Sequence, residues 1–97
     1  MFLKKGTEME YIQRHHTIWP ELLTLLKEKG ISDYSIFLEE GTGILFASYT
    51  ISNPAVHSTL SSHELMKKWW LYMKDLMETN SDNSPRVVAL KEVFNLK

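Results

Sequence analysis

Two runs of strand-forming residues lie close together in the middle of the chain and constrain its fold more than any other feature. Asp33–Glu40 and Ile44–Ile51 are rich in β-branched and aromatic side chains, and the EGTG at their junction supplies two glycines for a tight reversal. Alternation along the first run places Tyr34, Ile36 and Leu38 on one face of a strand. The pattern predicts a β-hairpin.

A helix is predicted ahead of this hairpin. Thr7-x-x-Glu10 fits a capping box, which should open a helix that runs through about His16. Pro20 prevents a smooth continuation, because its ring clashes with the carbonyl four residues earlier and disfavours helical geometry at the residue before it. We therefore expect a break or a sharp kink near Thr17–Trp19.

Two further helical segments follow from the spacing of apolar residues. The second piece of the broken first helix should have Pro20 in its first turn and Gly30 as C-cap. Its inward-facing residues are expected to be Leu22, Leu23, Leu25 and Leu26. Ser61-x-x-Glu64 is another capping box, and it should open the longest helix, ELMKKWWLYMKDLM. The buried stripe of that helix is predicted to comprise Leu65, Trp69, Met73 (or Tyr72) and Leu76.

Short apolar segments at the two ends of the chain complete the pattern. Met1–Lys4 reads as the tail of a strand, and Val87–Leu96 reads as a closing strand. The order is then β-α-β-β-α-β, which predicts a single α+β domain over residues 1–97 with a ferredoxin-like fold. In that fold one antiparallel sheet carries both helices on one face. The other face needs a cover, and a second copy of the chain or a ligand is the obvious choice.

Composition excludes several classes of function. The 97 residues carry a formal net charge of −1, so no global field attracts nucleic acid or an anionic membrane. The absence of cysteine excludes disulfides and thiolate chemistry. No apolar run approaches the ~18 residues of a transmembrane helix, and the N-terminus is too short and charged for a signal peptide. We expect a cytoplasmic protein that binds neither nucleic acid nor membrane.

One pair of side chains in the first predicted helix could carry proton-transfer chemistry. Tyr11 and His15 are four residues apart, so they share a helix face, and histidine titrates near neutral pH. From spacing alone, two partly exposed helix residues are the more common interpretation. His16 lies about 100° further round the helix and cannot point at the same spot. Neither a second histidine at ligand spacing nor a cysteine accompanies the pair, so we expect no metal site.

Two other positions could form the walls of a binding site. Trp69 and Trp70 are adjacent in the last helix, so one indole can face the core while the other points elsewhere, towards an interface or a pocket. Tyr34 opens the first strand of the hairpin, where its phenol could either stabilise the fold or contact a ligand hydroxyl. Indole and phenol rings suit a sugar ring, because each combines a flat apolar face with a polar tip.

Taken together, several segments resemble the L-rhamnose mutarotase family. They are EYIQRHHTIWPEL, YSIFLEE, LFA, KKWWLYMKDLM, NSDNSP and LKEVFNL, in the family's order and spacing over nearly the whole chain. The resemblance implies a ferredoxin-like domain that forms a dimeric, α/β-barrel-like assembly without metal or cofactor. It also implies interconversion of the α and β anomers of L-rhamnose in the cytoplasm. Relatives have several residues ahead of the point where Met1 falls, so we expect either a start further upstream or a short first strand.

The resemblance also implies roles for individual residues. The family's catalytic histidine, a proton donor, aligns with His15, and its sugar-contacting residues align with Tyr11, Tyr34, Trp69 and Trp70. Where relatives often carry Asn-Pro, this chain has His16-Thr17. Two alternatives keep the fold and change the function, since fold alone does not determine activity. One is a cofactor-free oxygenase or haem-degrading enzyme; the other is a sugar-binding module without catalysis.

Overall fold

The computed structural model describes residues 1–96 and shows a small α+β domain. A two-stranded antiparallel sheet is combined with four helices and one turn of 3₁₀-helix. In chain order the elements are α1 (Glu8–His16), α2 (Pro20–Glu28), β1 (Ile31–Glu39), β2 (Ile44–Ile51), α3 (Pro54–His57), the 3₁₀ turn Leu60–Ser62, and α4 (Glu64–Met73). Within residues 1–96, no helix has the length and apolar character needed to cross a bilayer.

The hairpin forms as predicted. β1 pairs with β2 in antiparallel register, with Phe37 opposite Phe46 and Ile31 opposite Ile51. The reversal uses Gly43, whose φ of 72° lies in the left-handed region that glycine adopts without steric cost. Its N–H donates a hydrogen bond of 2.9 Å to the Glu39 carbonyl, which closes the turn. The register shifts once along the pair, between Ser32 and Ser35.

The N-terminal residues extend the sheet by single bridges and do not form a continuous strand. Phe2 forms an antiparallel bridge to Ile44 of β2, and Leu3 forms one to Met77. The Phe2 carbonyl accepts a hydrogen bond of 2.8 Å from the Glu78 N–H. This short segment therefore lies between the hairpin and the chain that leaves α4, which is the central place that a first strand takes in the predicted order.

The prediction of a closing strand at Val87–Leu96 is wrong for the single chain. None of these residues is in a strand, and none of their backbone groups forms a hydrogen bond with another described residue. A strand needs a neighbour with free backbone groups, and within residues 1–96 the segment lies against none. Its large apolar side chains are exposed; they are Val87, Val88, Leu90, Val93, Phe94 and Leu96.

The core lies on one side of the hairpin, where the helices pack. Its central residues come from every layer and are Tyr11, Leu22, Leu25, Leu45, Trp69 and Met73. Ile36 and Leu38 of β1 pack against this core, whereas Phe37 on the opposite face is exposed. The predicted arrangement of helices on one face is thus present. Leu23 is an exception to the predicted inward leucines, because it is 43% exposed.

The helix ends differ in detail from the predicted capping boxes. The Thr7 hydroxyl donates to the carbonyls of Lys4 and Leu76 and makes no capping bond to α1. At α4, His63 is the N-cap, and its Nδ1 accepts from the Leu65 N–H at 3.1 Å. The last helix ends at Met73, one turn short of the predicted segment. The break before Pro20 is present, since α1 ends at His16 and α2 begins at the proline.

Candidate active site

The end of α1 presents Tyr11 and His15 side by side. Tyr11 is only 6% exposed, and the centroids of the two rings are 4.4 Å apart. His15 Nδ1 lies 3.0 Å from the Tyr11 carbonyl oxygen. Because a carbonyl only accepts, this contact requires a proton on Nδ1 and holds the ring in one tautomer. In neutral His15 the lone pair therefore sits on Nε2, which forms no hydrogen bond with the described residues.

The indole of Trp69 meets this pair from α4. The His15 and Trp69 rings are edge to face, with centroids 5.5 Å apart. Trp19, at the break between α1 and α2, packs edge-on against Trp69 at 5.1 Å and lies 5.5 Å from Tyr72. Sequence reasoning missed Trp19 as part of this cluster. The signal that could have identified Trp19 was its position directly before Pro20, where the chain changes direction between α1 and α2.

A cavity of about 450 Å³ opens beside this aromatic cluster. Four of the five predicted site residues line it, namely Tyr11, His15, Tyr34 and Trp69. Its floor and remaining walls are aliphatic and include Leu22, Leu26, Ile36, Leu38 and Leu45. A mostly apolar cavity of this size with a few polar groups is typical of small-molecule sites. His16 also reaches its lining, although that residue is exposed.

The fifth predicted residue, Trp70, lines a smaller adjoining cavity of about 90 Å³. The two cavities share a wall that contains His15, Tyr34 and Trp69. Asn83, from the loop after α4, also lines the smaller cavity. Trp69 thus lines both cavities and Trp70 only the smaller one, in keeping with the helical step of about 100° between them.

Burial tunes the ionisable groups of the site. Loss of water lowers the pKa of His15 below its ordinary value; the Tyr11 carbonyl opposes that shift and nearby His16 adds to it. Burial also raises the pKa of Tyr11, and it raises the pKa of Tyr34 with a contribution from Tyr49. At pH 7 both phenols keep their protons and can donate hydrogen bonds, while His15 is largely neutral.

Arg14 holds the end of α1 against the end of α4. Its Nη1 donates to the Tyr72 carbonyl at 2.6 Å and to Asp75 Oδ1 at 2.9 Å, and its Nε donates to Glu10 Oε1 at 2.9 Å. The side chain is only 13% exposed, and its Cζ lies 4.5 Å from the centre of the Tyr72 ring. The hydrogen bond from Arg14 lowers the pKa of Asp75. Arg14 therefore braces the helix that carries His15.

Fold and site together define a small α+β protein with an aromatic-walled, histidine-bearing cavity. The family model described as L-rhamnose mutarotase matches residues 1–96. An L-rhamnose mutarotase of Flavobacterium johnsoniae is 59% identical over 96 residues, which cover 99% of this chain and 90% of the relative. One of Sinorhizobium fredii is 54% identical, with 99% and 92% covered. The chain belongs to the L-rhamnose mutarotase family.

A solved structure agrees with this assignment. The crystal structure of an L-rhamnose mutarotase from Formosa agariphila matches the present structure with a TM-score of 0.92 at 45% identity. The match covers 100% of this chain and 93% of the other. The α+β fold described above is thus the fold of that enzyme.

Proposed function

We propose that this protein interconverts the α and β anomers of L-rhamnose. The observation that carries the proposal is His15, whose Nε2 carries no internal hydrogen bond in a cavity walled by Tyr11 and Trp69. Mutarotation opens a cyclic hemiacetal and closes it on the other face of the aldehyde. It requires one proton delivered to the ring oxygen and one removed from the anomeric hydroxyl. Membership of the L-rhamnose mutarotase family supports the choice of sugar.

In this proposal His15 is the proton donor. Protonated His15 donates from Nε2 to the ring oxygen as the bond from that oxygen to the anomeric carbon breaks, and the anomeric hydroxyl gives its proton to a second base. The neutral imidazole takes the proton back when the ring closes. Burial makes the imidazolium a stronger acid than an exposed one, which favours donation to a weakly basic ether oxygen. The Tyr11 carbonyl keeps Nε2 as the nitrogen available to the sugar.

The other predicted site residues bind the sugar. Trp69 offers an apolar ring face to the pyranose and its methyl group, and Trp70 extends that surface into the adjoining cavity. The Tyr34 and Tyr11 phenols both stay protonated at neutral pH, so they can donate to sugar hydroxyls. Tyr34 is further held by stacking on Tyr49, with ring centroids 4.9 Å apart.

The working form is proposed to be a homodimer of ferredoxin-like domains. Two surfaces of this chain lack a partner within residues 1–96: the segment 87–96 and the sheet face that carries Phe37 and Phe46. β1 is also an edge strand whose outer side is unpaired. Pairing of residues 87–96 with the sheet of a second copy supplies backbone partners to both and covers the apolar side chains. We propose this exchange of C-terminal segments as the contact that makes the dimer.

Saturation-transfer NMR on a panel of aldoses tests the activity. Irradiation of one anomeric proton of L-rhamnose should reduce the signal of the other anomer in proportion to protein concentration. L-Mannose, which carries a hydroxyl on the carbon where L-rhamnose carries a methyl hydrogen, is the matched control and should exchange more slowly. A single apolar contact with the methyl group distinguishes the two sugars by only ~1–3 kcal/mol. We therefore expect L-mannose to exchange more slowly but not to stop exchanging. Binding of L-rhamnose without faster exchange would instead identify a sugar-binding module.

A further inference from the structure

The loop after α4 brings the polar side chain of Asn83 to the candidate site, and the proposed mechanism gives this side chain no role. Asn83 lines the smaller cavity together with Trp70, beside the wall that holds His15 and Tyr34. Most of that lining is aromatic or comes from methionine. The side-chain amide of Asn83 forms no hydrogen bond with any residue from 1 to 96. It is therefore a free donor and acceptor at a cavity whose other polar side chains are those of Tyr11, His15 and Tyr34.

The loop holds Asn83 in a fixed conformation. Its φ of 69° lies in the left-handed region, which asparagine tolerates better than most residues. The Asn83 N–H donates to the Asn80 carbonyl at 3.0 Å, and the Asn80 N–H donates to the Ser84 carbonyl at 2.8 Å. The Asn80 amide Nδ2 also donates to Ser84 Oγ at 3.0 Å and to the Pro85 carbonyl at 3.2 Å. These hydrogen bonds order the loop. Asn83 contributes only its backbone N–H to them, so its side chain is not used in holding the loop.

We propose that Asn83 is a specificity-determining residue that binds one hydroxyl group of the sugar. The inference rests on the proposed function and extends it. A primary amide both donates and accepts, which matches a hydroxyl, and an ordered loop loses little conformational entropy when it binds. Asn83 belongs to a different part of the chain from Tyr11 and Tyr34, so it can engage a hydroxyl that the helix and the hairpin do not.

The variant Asn83→Gly tests this proposal. Glycine adopts the positive φ without strain, so the change removes the amide and leaves the loop backbone unstrained. We expect the KM for L-rhamnose exchange to rise about three- to tenfold, as the loss of one hydrogen bond would cause, with little change in kcat. Ser81→Gly, at an exposed position of the same loop, is the matched control and should keep the KM of the unchanged protein.

Monodeoxy analogues of L-rhamnose identify the hydroxyl and separate binding from a structural role. For the analogue that lacks the hydroxyl bound by Asn83, the variant and the unchanged protein should have the same KM. If Asn83→Gly raises the KM equally for every analogue, or leaves it unchanged for L-rhamnose, the proposal is wrong. Should the glycine variant not fold by near-ultraviolet circular dichroism, Asn83→Asp, which lacks the amide protons, takes the same test. Failure of the unchanged protein to exchange L-rhamnose anomers would instead overturn the proposed function.

Discussion

The inner face of α1 and the C-terminal segment 87–96 both carry regularly spaced apolar or aromatic side chains, yet they end in opposite environments. On α1, Tyr11 is buried against α4 and His15 is held by a backbone carbonyl. In the C-terminal segment, Leu90 is 72% and Phe94 is 78% exposed. Regular spacing therefore tells which side chains need a surface, but it does not tell whether the same copy of the chain provides it.

The size of the unburied surface explains why the difference matters. Burial of a Val, Leu or Phe side chain is worth ~1.5–3 kcal/mol. The six exposed apolar side chains of the C-terminal segment thus represent on the order of 10 kcal/mol that the single chain does not gain. As a strand, the segment would place Val88, Leu90, Phe94 and Leu96 on one face. The proposed second copy would recover much of this free energy.

Replacement of His15 should give the largest effect, a loss of anomer exchange, because it removes the proposed proton donor from the inner face of α1. His15→Ala is expected to slow exchange by about 10²–10⁴-fold while sugar binding largely survives. His16→Ala is the adjacent control and should be far milder, since that side chain is exposed. Saturation-transfer NMR measures the exchange, and titration of tryptophan fluorescence with L-rhamnose measures the binding. Equal exchange in His15→Ala and the unchanged protein would remove His15 from the mechanism.

A charge in the C-terminal segment should give the next effect. Phe94→Asp places a carboxylate on the face that is proposed to be covered, so light scattering should show a shift from dimer towards the 11.4 kDa monomer. Asn95→Asp adds the same charge one position along and should remain a dimer, because the alternation of a strand turns that side chain away. A monomeric unchanged protein, or a Phe94→Asp variant as dimeric as its control, would contradict the exchange of segments.

The same comparison shows how much of the molecule could be predicted from its sequence. The hairpin, the break at Pro20 and the pairing of Tyr11 with His15 follow from local propensity and helical spacing, whereas the meeting of that pair with Trp69 was implied only by the family resemblance. The environment of Arg14 could not be predicted, because its hydrogen bonds to Tyr72 and Asp75 join parts of the chain about 60 residues apart. Such contacts depend on how helices pack, and spacing within one helix carries no information about them.

The prediction of a strand in the C-terminal segment failed for a different reason. Its strand pattern is strong, but a strand forms only where a neighbour with free backbone groups lies alongside it, and within residues 1–96 the segment pairs with none. The N-terminal bridges at Phe2 and Leu3 occupy the central position between the hairpin and Met77. Pattern reasoning assigns an element its type from its own residues, whereas the partner that the element needs is a property of the whole assembly.

The pH dependence of stability is the smallest expected effect, and a comparison of two histidine variants isolates the contribution of His15. Burial lowers the pKa of His15 in the folded state below the unfolded value near 6.5, so the unfolded chain binds more protons between these two values. The free energy of unfolding should therefore fall as pH decreases through 6.5 and level off below the folded pKa. His15→Gln should remove this contribution, and His16→Gln should keep it. Urea unfolding at fixed protein concentration, followed by tryptophan fluorescence from pH 8 to 5, measures the difference. The same slope in both variants would place His15 in a more hydrated environment than the cavity wall described here.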